Sequence, residues 1–144
     1  MPASIGTYNP AFFFQSIGGQ PITGYADGSF IEIEQNVDDF EVTVGASGET
    51  VVTQSNNKSG KITITLLQSA LSNDMLNSLR NARLAGGPAV PYFAKELNGN
   101  TTISAPNCWI KKVPNVKRGK EISEVEWILE TDAIDIQVGS LLPL

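Results

Sequence analysis

Four glutamates stand in pairs two residues apart, Glu32 with Glu34 and Glu124 with Glu126. Two carboxylates at that spacing share one face of a strand, where they could divide acid and base work or hold a divalent cation. Their neighbours point elsewhere. Ile31 and Ile33, and Val125, Trp127 and Leu129, alternate with them, which is the pattern of a solvated sheet face over an apolar one. Cys108 opens an apolar run with only Lys111 and Lys112 as nearby cations, so it reads as a buried small hydrophobe and not a nucleophile. Gly45-x-x-Gly48 and Gly18-Gly19 lack the strand, helix and lysine context of a phosphate loop. Lys111 and Lys112 with Lys117, Arg118 and Lys120 form a basic cluster without interleaved aromatic residues, which fits a solvated or protein-facing loop and not a groove for single-stranded nucleic acid.

The composition narrows the chemistry further. With no histidine and one cysteine in 144 residues, the usual serine and cysteine hydrolases, zinc sites and disulfide scaffolds are disfavoured. No catalytic residue, metal or cofactor is expected, and hence no enzyme. A chain 41% hydrophobic and 17% charged fits one folded domain spanning residues 1–144. No apolar run reaches the ~18 residues of a spanning helix, so no membrane insertion is expected. Met1 to Gly19 lacks the basic start and long apolar core of a secretory signal, which predicts that the chain stays in the compartment where it is made.

The net charge of −5 is distributed in blocks. Residues 1–57 hold seven acids, including Asp27, and no base; residues 58–120 hold all ten basic side chains against Asp74 and Glu96; residues 121–144 hold six acids and no base. Such segregation predicts one acidic and one basic surface and a molecule able to associate with copies of itself; interleaving of the blocks on folding would instead give a mixed surface.

The elements that must carry these residues are mostly strands. Alternation marks Phe30 to Gln35, Phe40 to Val44, Val51 to Gln54 and Lys61 to Leu66, joined by the turn Gly45 to Gly48 and the polar loop Ser55 to Gly60, as a meander of antiparallel strands. Further strands are expected over Val90 to Leu97, Thr101 to Ile103 after a tight turn at Asn98-Gly99-Asn100, Cys108 to Val113, Val125 to Leu129 and Ala133 to Val138. One helix is expected from Ser72, as N-cap, to Ala85 before Gly86-Gly87-Pro88, with Met75, Leu76, Leu79 and Ala82 on its core face. Asn73, Asn77 and Asn81 fall on the opposite face, with Arg80 and Arg83 on its flank.

The run Gly24-Tyr25-Ala26-Asp27-Gly28-Ser29-Phe30-Ile31, then Asp39-Phe40, Val44-Gly45, Gly48-Glu49, Ser59-Gly60, the segment Ile62 to Ser69, and Ser72-Asn73-Asp74 resemble the tail tube proteins of contractile-tailed bacteriophages. The resemblance follows nearly the whole chain in element order and is sharpest between Gly24 and Leu76. It implies a small antiparallel β-barrel or β-sandwich with one flanking helix, whose copies form six-membered rings stacked into a tube within the virion tail, assembled in the host cytoplasm. It also implies as partners the tail sheath, baseplate and tail terminator proteins, and genomic DNA passing through the lumen without specific binding. Since lysine and arginine contacts to phosphate supply most non-specific affinity for DNA, an acidic lining suits such a channel. Glu32, Glu34, Glu124, Glu126 and Asp135 are the candidates for it. Gly45, Gly48, Ser55, Asn56, Asn57, Lys58, Ser59 and Gly60 are candidates for a loop between subunits, mobile in the free protein, and Asn77, Arg80, Asn81 and Arg83 for the surface facing the sheath.

Two other readings fit the same pattern. One is the tube of a phage-derived contractile secretion device. The other is a ligand-binding β-sandwich with Trp109, Trp127 or Tyr92 as a stacking platform, although alternation puts Trp127 with Val125 and Leu129 in the core.

Overall fold

The computed structural model describes residues 13–26, 30–97 and 99–140. Asp27, Gly28 and Ser29 of the tube-like run, and Asn98 of the expected tight turn, lie outside the described residues.

Ten strands and one helix follow in the order β1 (Phe13–Ile17), β2 (Gln20–Pro21), β3 (Ile31–Gln35), β4 (Phe40–Val44), β5 (Thr50–Gln54), β6 (Gly60–Leu67), α1 (Ser72–Leu84), β7 (Val90–Glu96), β8 (Thr102–Lys112), β9 (Glu124–Thr131) and β10 (Asp135–Gln137). Eight strands form one sheet in the order β2-β1-β7-β8-β9-β6-β3, with β10 beside β8. Their pairing is antiparallel throughout. Two expectations are corrected here. The sheet stays open, with β2 and β3 as its edges, so the closed barrel is not formed; and β4 and β5 leave the meander to make a separate two-stranded hairpin.

The sheet is mainly β with a core because one side of each strand is apolar. Ile62, Ile64 and Leu66 of β6, Trp127 and Leu129 of β9, and Tyr92 and Ala94 of β7 alternate inward and are buried. The chain after β2 ties the two edges to this core. The Ile22 N–H donates to the Gln15 carbonyl on one side, and the Ala26 N–H donates to the Thr65 carbonyl on the other. Tyr25 and Phe30 then lie with ring centroids 4.6 Å apart, and Phe13 meets Phe30 edge-on at 6.3 Å.

Strand β1 was not expected from the alternation, because its inward set, Phe13, Gln15 and Ile17, contains a polar residue. Gln15 is 1% exposed yet satisfied: it accepts from the Tyr92 hydroxyl at 2.6 Å and donates to the Tyr25 hydroxyl at 2.9 Å. Strand β8 joins two expected strands into one. Its register against β7 slips between Val90 and Tyr92, where Cys108 and Ala105 are the partners, and the extra residue lies beside Pro106, which has no N–H to give a ladder.

The helix covers the core through Leu76, with Met75 and Leu79 packed around it, while Ala82 is exposed. Ser72 is not its N-cap. It is the first helical residue, buried, and its hydroxyl accepts from the Thr23 N–H at 2.9 Å. Asn73 also differs from expectation. It turns inward, accepts from the Trp127 indole N–H at 2.9 Å and donates to the Leu67 carbonyl at 2.9 Å, so it fastens the helix to β9 and to the end of β6. Gly86, at φ 94°, takes the left-handed conformation that ends the helix.

Candidate assembly and channel surfaces

The two glutamate pairs come together on one face of the sheet. Strand β6 runs between β3 and β9, with Glu32 opposite Thr63 and Glu126 opposite Thr65, so Glu32 and Glu126 flank a shallow groove of about 200 Å³ floored by those threonines. Glu34, Glu124 and Glu130 stand on the same outward face, since Ile33, Val125 and Leu129 beside them pack on the core. Asp135 also faces outward, since Ile136 beside it packs on the core, but its strand pairs neither β6 nor β9. It lies on β10 opposite Ser104 and accepts from the Gln137 side chain at 2.7 Å.

The basic residues are not all on the other side. Lys61 lies 3.8 Å from Glu34, Lys111 lies 3.5 Å from Glu130, and Lys58 lies 3.1 Å from Asp39. Each pair joins the basic middle block to an acidic end block, so folding interleaves the blocks at these points, and the expected division into one acidic and one basic surface is corrected to that extent. All are solvent-accessible pairs, screened by water, and add little to stability. Glu32, Glu124 and Glu126 form no ion pair among the described residues, though Lys112 and Lys117 border one pocket with Glu124 and Glu126, so the acidic character of the face is greatest at Glu32.

The residues expected to form one long loop divide into three parts. Gly45 and Gly48 make the hairpin turn: the Gly48 N–H donates to the Gly45 carbonyl at 3.0 Å, and Gly48 sits at φ 83°, where a side chain is strained. Thr50–Gln54 is strand β5. Ser55, Asn56, Asn57, Lys58, Ser59 and Gly60 lead back into the sheet and are the hydrogen-bonded root of the hairpin, so these residues are not one continuous loop. The Ser55 N–H donates to the Asp39 carbonyl, the Asn57 carboxamide oxygen accepts from the Ser59 N–H, and Asn36 bonds Ser59 through both backbone and side chain. Gly60 is buried against Ile134, whose Cγ2 lies 2.5 Å from where a Cβ would be, so no larger residue fits there. Gln35 and Lys58 both bond the Asp39 carboxylate and hold its pKa below the ordinary value, Gln35 having the larger influence.

Beyond that root the hairpin is bare. Phe40, Val42, Val44 and Val52 share one face and are 59 to 65% exposed, while Glu41 and Thr43 are on the other face with Val51 and Thr53. Among the described residues no other strand or helix packs extensively on it. An isolated two-stranded hairpin is marginally stable in water, so an apolar face of this kind requires a cover.

On the helix, Asn77, Asn81 and Arg83 are exposed and Arg80 is half-buried. Arg83 donates to the Gly87 carbonyl at 3.0 Å and thereby holds the helix end. Asn77 borders a crevice of about 280 Å³ against residues 113–116 and Arg118.

Burial removes two of the three candidate stacking platforms and leaves Trp109 half-buried on the outward face. Tyr92 is 2% and Trp127 3% exposed, both in the core. Cys108 is also buried, and burial pushes its thiol up to about 12 against a smaller opposing influence of the Trp109 N–H, leaving it protonated and unreactive at neutral pH.

Residues 14–139 match the family described as Bacteriophage PhiTE tail tube protein. Structural protein ORF10 of Pseudomonas phage KPP10 is 25% identical over 122 residues, covering 82% of this chain and 70% of that protein. Among solved structures, the tube-terminating cap of the anti-feeding prophage superposes with a TM-score of 0.62 at 13% identity, over 95% of each chain. The sheath-tube complex of the extracellular contractile injection system PVC, in its extended state, gives 0.56 at 16% identity, over 89% of this chain and 90% of that one. These structural likenesses bear on the fold.

Proposed function

This chain belongs to the bacteriophage PhiTE tail tube protein family, a family of structural proteins and not enzymes, and we propose that it assembles into stacked six-membered rings around an acidic channel that passes DNA. The observation that carries the assembly is the β4–β5 hairpin, whose apolar face has no cover among the described residues. A neighbouring copy supplies that cover, and the hairpin bridges one ring to the next. Growth of the sheet from copy to copy fits the open edges at β2 and β3, which would otherwise invite indiscriminate pairing. The exposed helix side chains Asn77, Asn81 and Arg83 are then left for the sheath.

The outward face of β3, β6 and β9 lines the channel in this reading, because Glu32 and Glu126 flank its central groove with no lysine among the groove's lining residues, while Lys61, Lys111, Lys112 and Lys117 stand at its margins. A carboxylate surface repels phosphates and leaves DNA free to move. Electron microscopy of the purified protein, alone and on a tail-initiating complex, tests the assembly; a chain that stays monomeric at high concentration in both overturns it. For the channel, Glu32→Lys with Glu126→Lys reverses the groove charge without touching the core. Ejection of DNA should slow and recover as salt rises, and unchanged ejection would mean that this face is not the lining.

The likeness to a tube-terminating cap supports a second reading, a terminator ring that ends a tube. Such a protein forms single rings and blocks elongation when added to growing tubes, whereas a tube subunit extends them.

A further inference from the structure

Residues 36–39 lead out of the sheet to the hairpin, and residues 55–59 lead back from it. The returning arm belongs to the body of the sheet. Its Lys58 carbonyl accepts from the Ile134 N–H at 2.8 Å, Lys58 lies beside Ala133 in a parallel bridge, and Gly60 after it is pressed against Ile134. Local bonds stiffen it further: the Asn57 carboxamide oxygen accepts from the Ser59 N–H at 3.0 Å and from the Ser59 hydroxyl at 2.7 Å. The outgoing arm depends on the returning one. Its main-chain ties are at its two ends, where the Asn36 N–H donates to the Ser59 carbonyl at 3.0 Å and the Asp39 carbonyl accepts from the Ser55 N–H at 2.8 Å.

Between those two ties no main-chain hydrogen bond links the arms among the described residues, and a short unladdered stretch of this kind is where a projecting element hinges. Side chains close the gap. Gln35, the last residue of β3, reaches forward and donates through its amide to the Val37 carbonyl at 2.6 Å and to Asp39 Oδ1 at 2.8 Å. Lys58 reaches across from the returning arm and donates to the same oxygen at 3.1 Å. Both donors stand on the sheet side of the gap, whereas Asp39 immediately precedes Phe40, where β4 begins. A swing of the hairpin against the sheet therefore has to break both bonds. Asp39 is exposed, so the arrangement adds nothing to the burial of the core.

We propose that the Asp39 carboxylate is a lock that fixes the direction of the hairpin in the free subunit, with Gln35 and Lys58 as its two catches. The lock is complete within one copy and is independent of what the hairpin meets. Its use is preorganisation. An apolar face held in one direction is offered to a partner already ordered, so the conformational entropy that a swinging segment loses at encounter is lost during folding instead. Asp39, Gln35 and Lys58 are positioning residues in this scheme and touch no partner. Only the part that the lock takes in assembly rests on the tube reading.

The test is the distance between spin labels on Ala46→Cys at the hairpin turn and Ser78→Cys on the exposed side of α1, in full-length protein diluted with unlabelled copies so that distances within one subunit are read; buried Cys108 stays unlabelled. One narrow distribution is expected. Asp39→Ala should widen it about twofold, Gln35→Ala and Lys58→Met should each widen it less, and Lys58→Met added to Asp39→Ala should change nothing more, because the groups share one network. Asp39→Asn keeps an oxygen acceptor for both donors and should restore most of the narrow width. Urea midpoints should stay unchanged throughout; a midpoint that falls in step with the widening assigns the effect to the fold and overturns the lock. A wild-type distribution as wide as that of Asp39→Ala, or a width indifferent to Asp39→Ala, overturns it as well. Growth on a tail-initiating complex is the second readout, expected to slow severalfold for Asp39→Ala and to recover for Asp39→Asn. Unchanged growth with the expected distances keeps the lock and removes its part in assembly. No growth in any variant, the wild type included, removes the tube reading and leaves the lock decided by the distances.

Discussion

Strands β6 and β4 are built on the same alternation and meet opposite fates. In β6, Ile62, Ile64 and Leu66 are fully buried; in β4, Val42 and Val44 are 63 and 65% exposed. The difference lies in what stands across from them. Strand β6 has a paired strand on each side, and its apolar side chains lie in one core cluster with Leu76 of the helix, whereas among the described residues the hairpin has only its own second strand. Alternation therefore tells which side chains share a face and leaves open what covers that face; for the hairpin the proposed cover is a neighbouring copy.

The sharpest way to break that contrast is to truncate both regions. Leu129→Ala in the sheet should cost about 2 to 5 kcal/mol, while Val42→Ala and Val52→Ala in the hairpin should each shift the free subunit by about 0.5 kcal/mol or less. Urea unfolding of the monomer decides it, and equal costs would mean that the hairpin is packed in its own chain. Next in size is the helix lock. Asn73→Ala strands the Trp127 indole N–H and should cost about 1 to 3 kcal/mol, against about 0.5 kcal/mol or less for Asn77→Ala, as measured by thermal unfolding.

A smaller effect comes from the core tyrosines. Burial, and then the nearby Tyr25 and Cys108, raise the Tyr92 pKa well above 10, and burial raises that of Tyr25 against a smaller opposing bond from Gln15. The folded protein thus holds these phenolic protons more tightly than the unfolded chain. The stability they contribute is complete below about pH 10 and is lost as pH rises past it. Urea midpoints between pH 8 and pH 11 should fall for the wild type and fall less steeply for Tyr92→Phe; parallel curves would remove Tyr92 as a source. The smallest change is expected at Glu34→Gln. It removes the exposed pair with Lys61 and should alter stability by about 0.5 kcal/mol or less, with no effect on whether subunits associate.

Much of this was legible beforehand. The glutamate pairs, the helix from Ser72 and the strands around Trp127 follow from period and cap-like residues that act locally. Strand β1 was hidden because Gln15 looks solvent-facing until Tyr25 and Tyr92, 10 and 77 residues away, satisfy it. Ser72 and Asn73 looked like an N-cap and an exposed amide for the same reason: Thr23 and Trp127, which use their side chains, are distant in sequence. The detachment of the hairpin was equally invisible, since β4 and β5 have the composition of interior strands. Only the six residues Ser55 to Gly60, with no apolar side chain among them, hinted that the chain there was turning back and not crossing a core.

The indole of Trp127, held by Asn73 under the helix, gives the protein an optical consequence. Buried and hydrogen-bonded, it emits at short wavelength and shifts to the red only when the helix lifts away. Trp109 is half-buried on the face that carries Glu130, within reach of a dissolved quencher until another molecule covers it. One emission spectrum, recorded with and without quencher, therefore separates loosening of the subunit from contact between subunits, without a label.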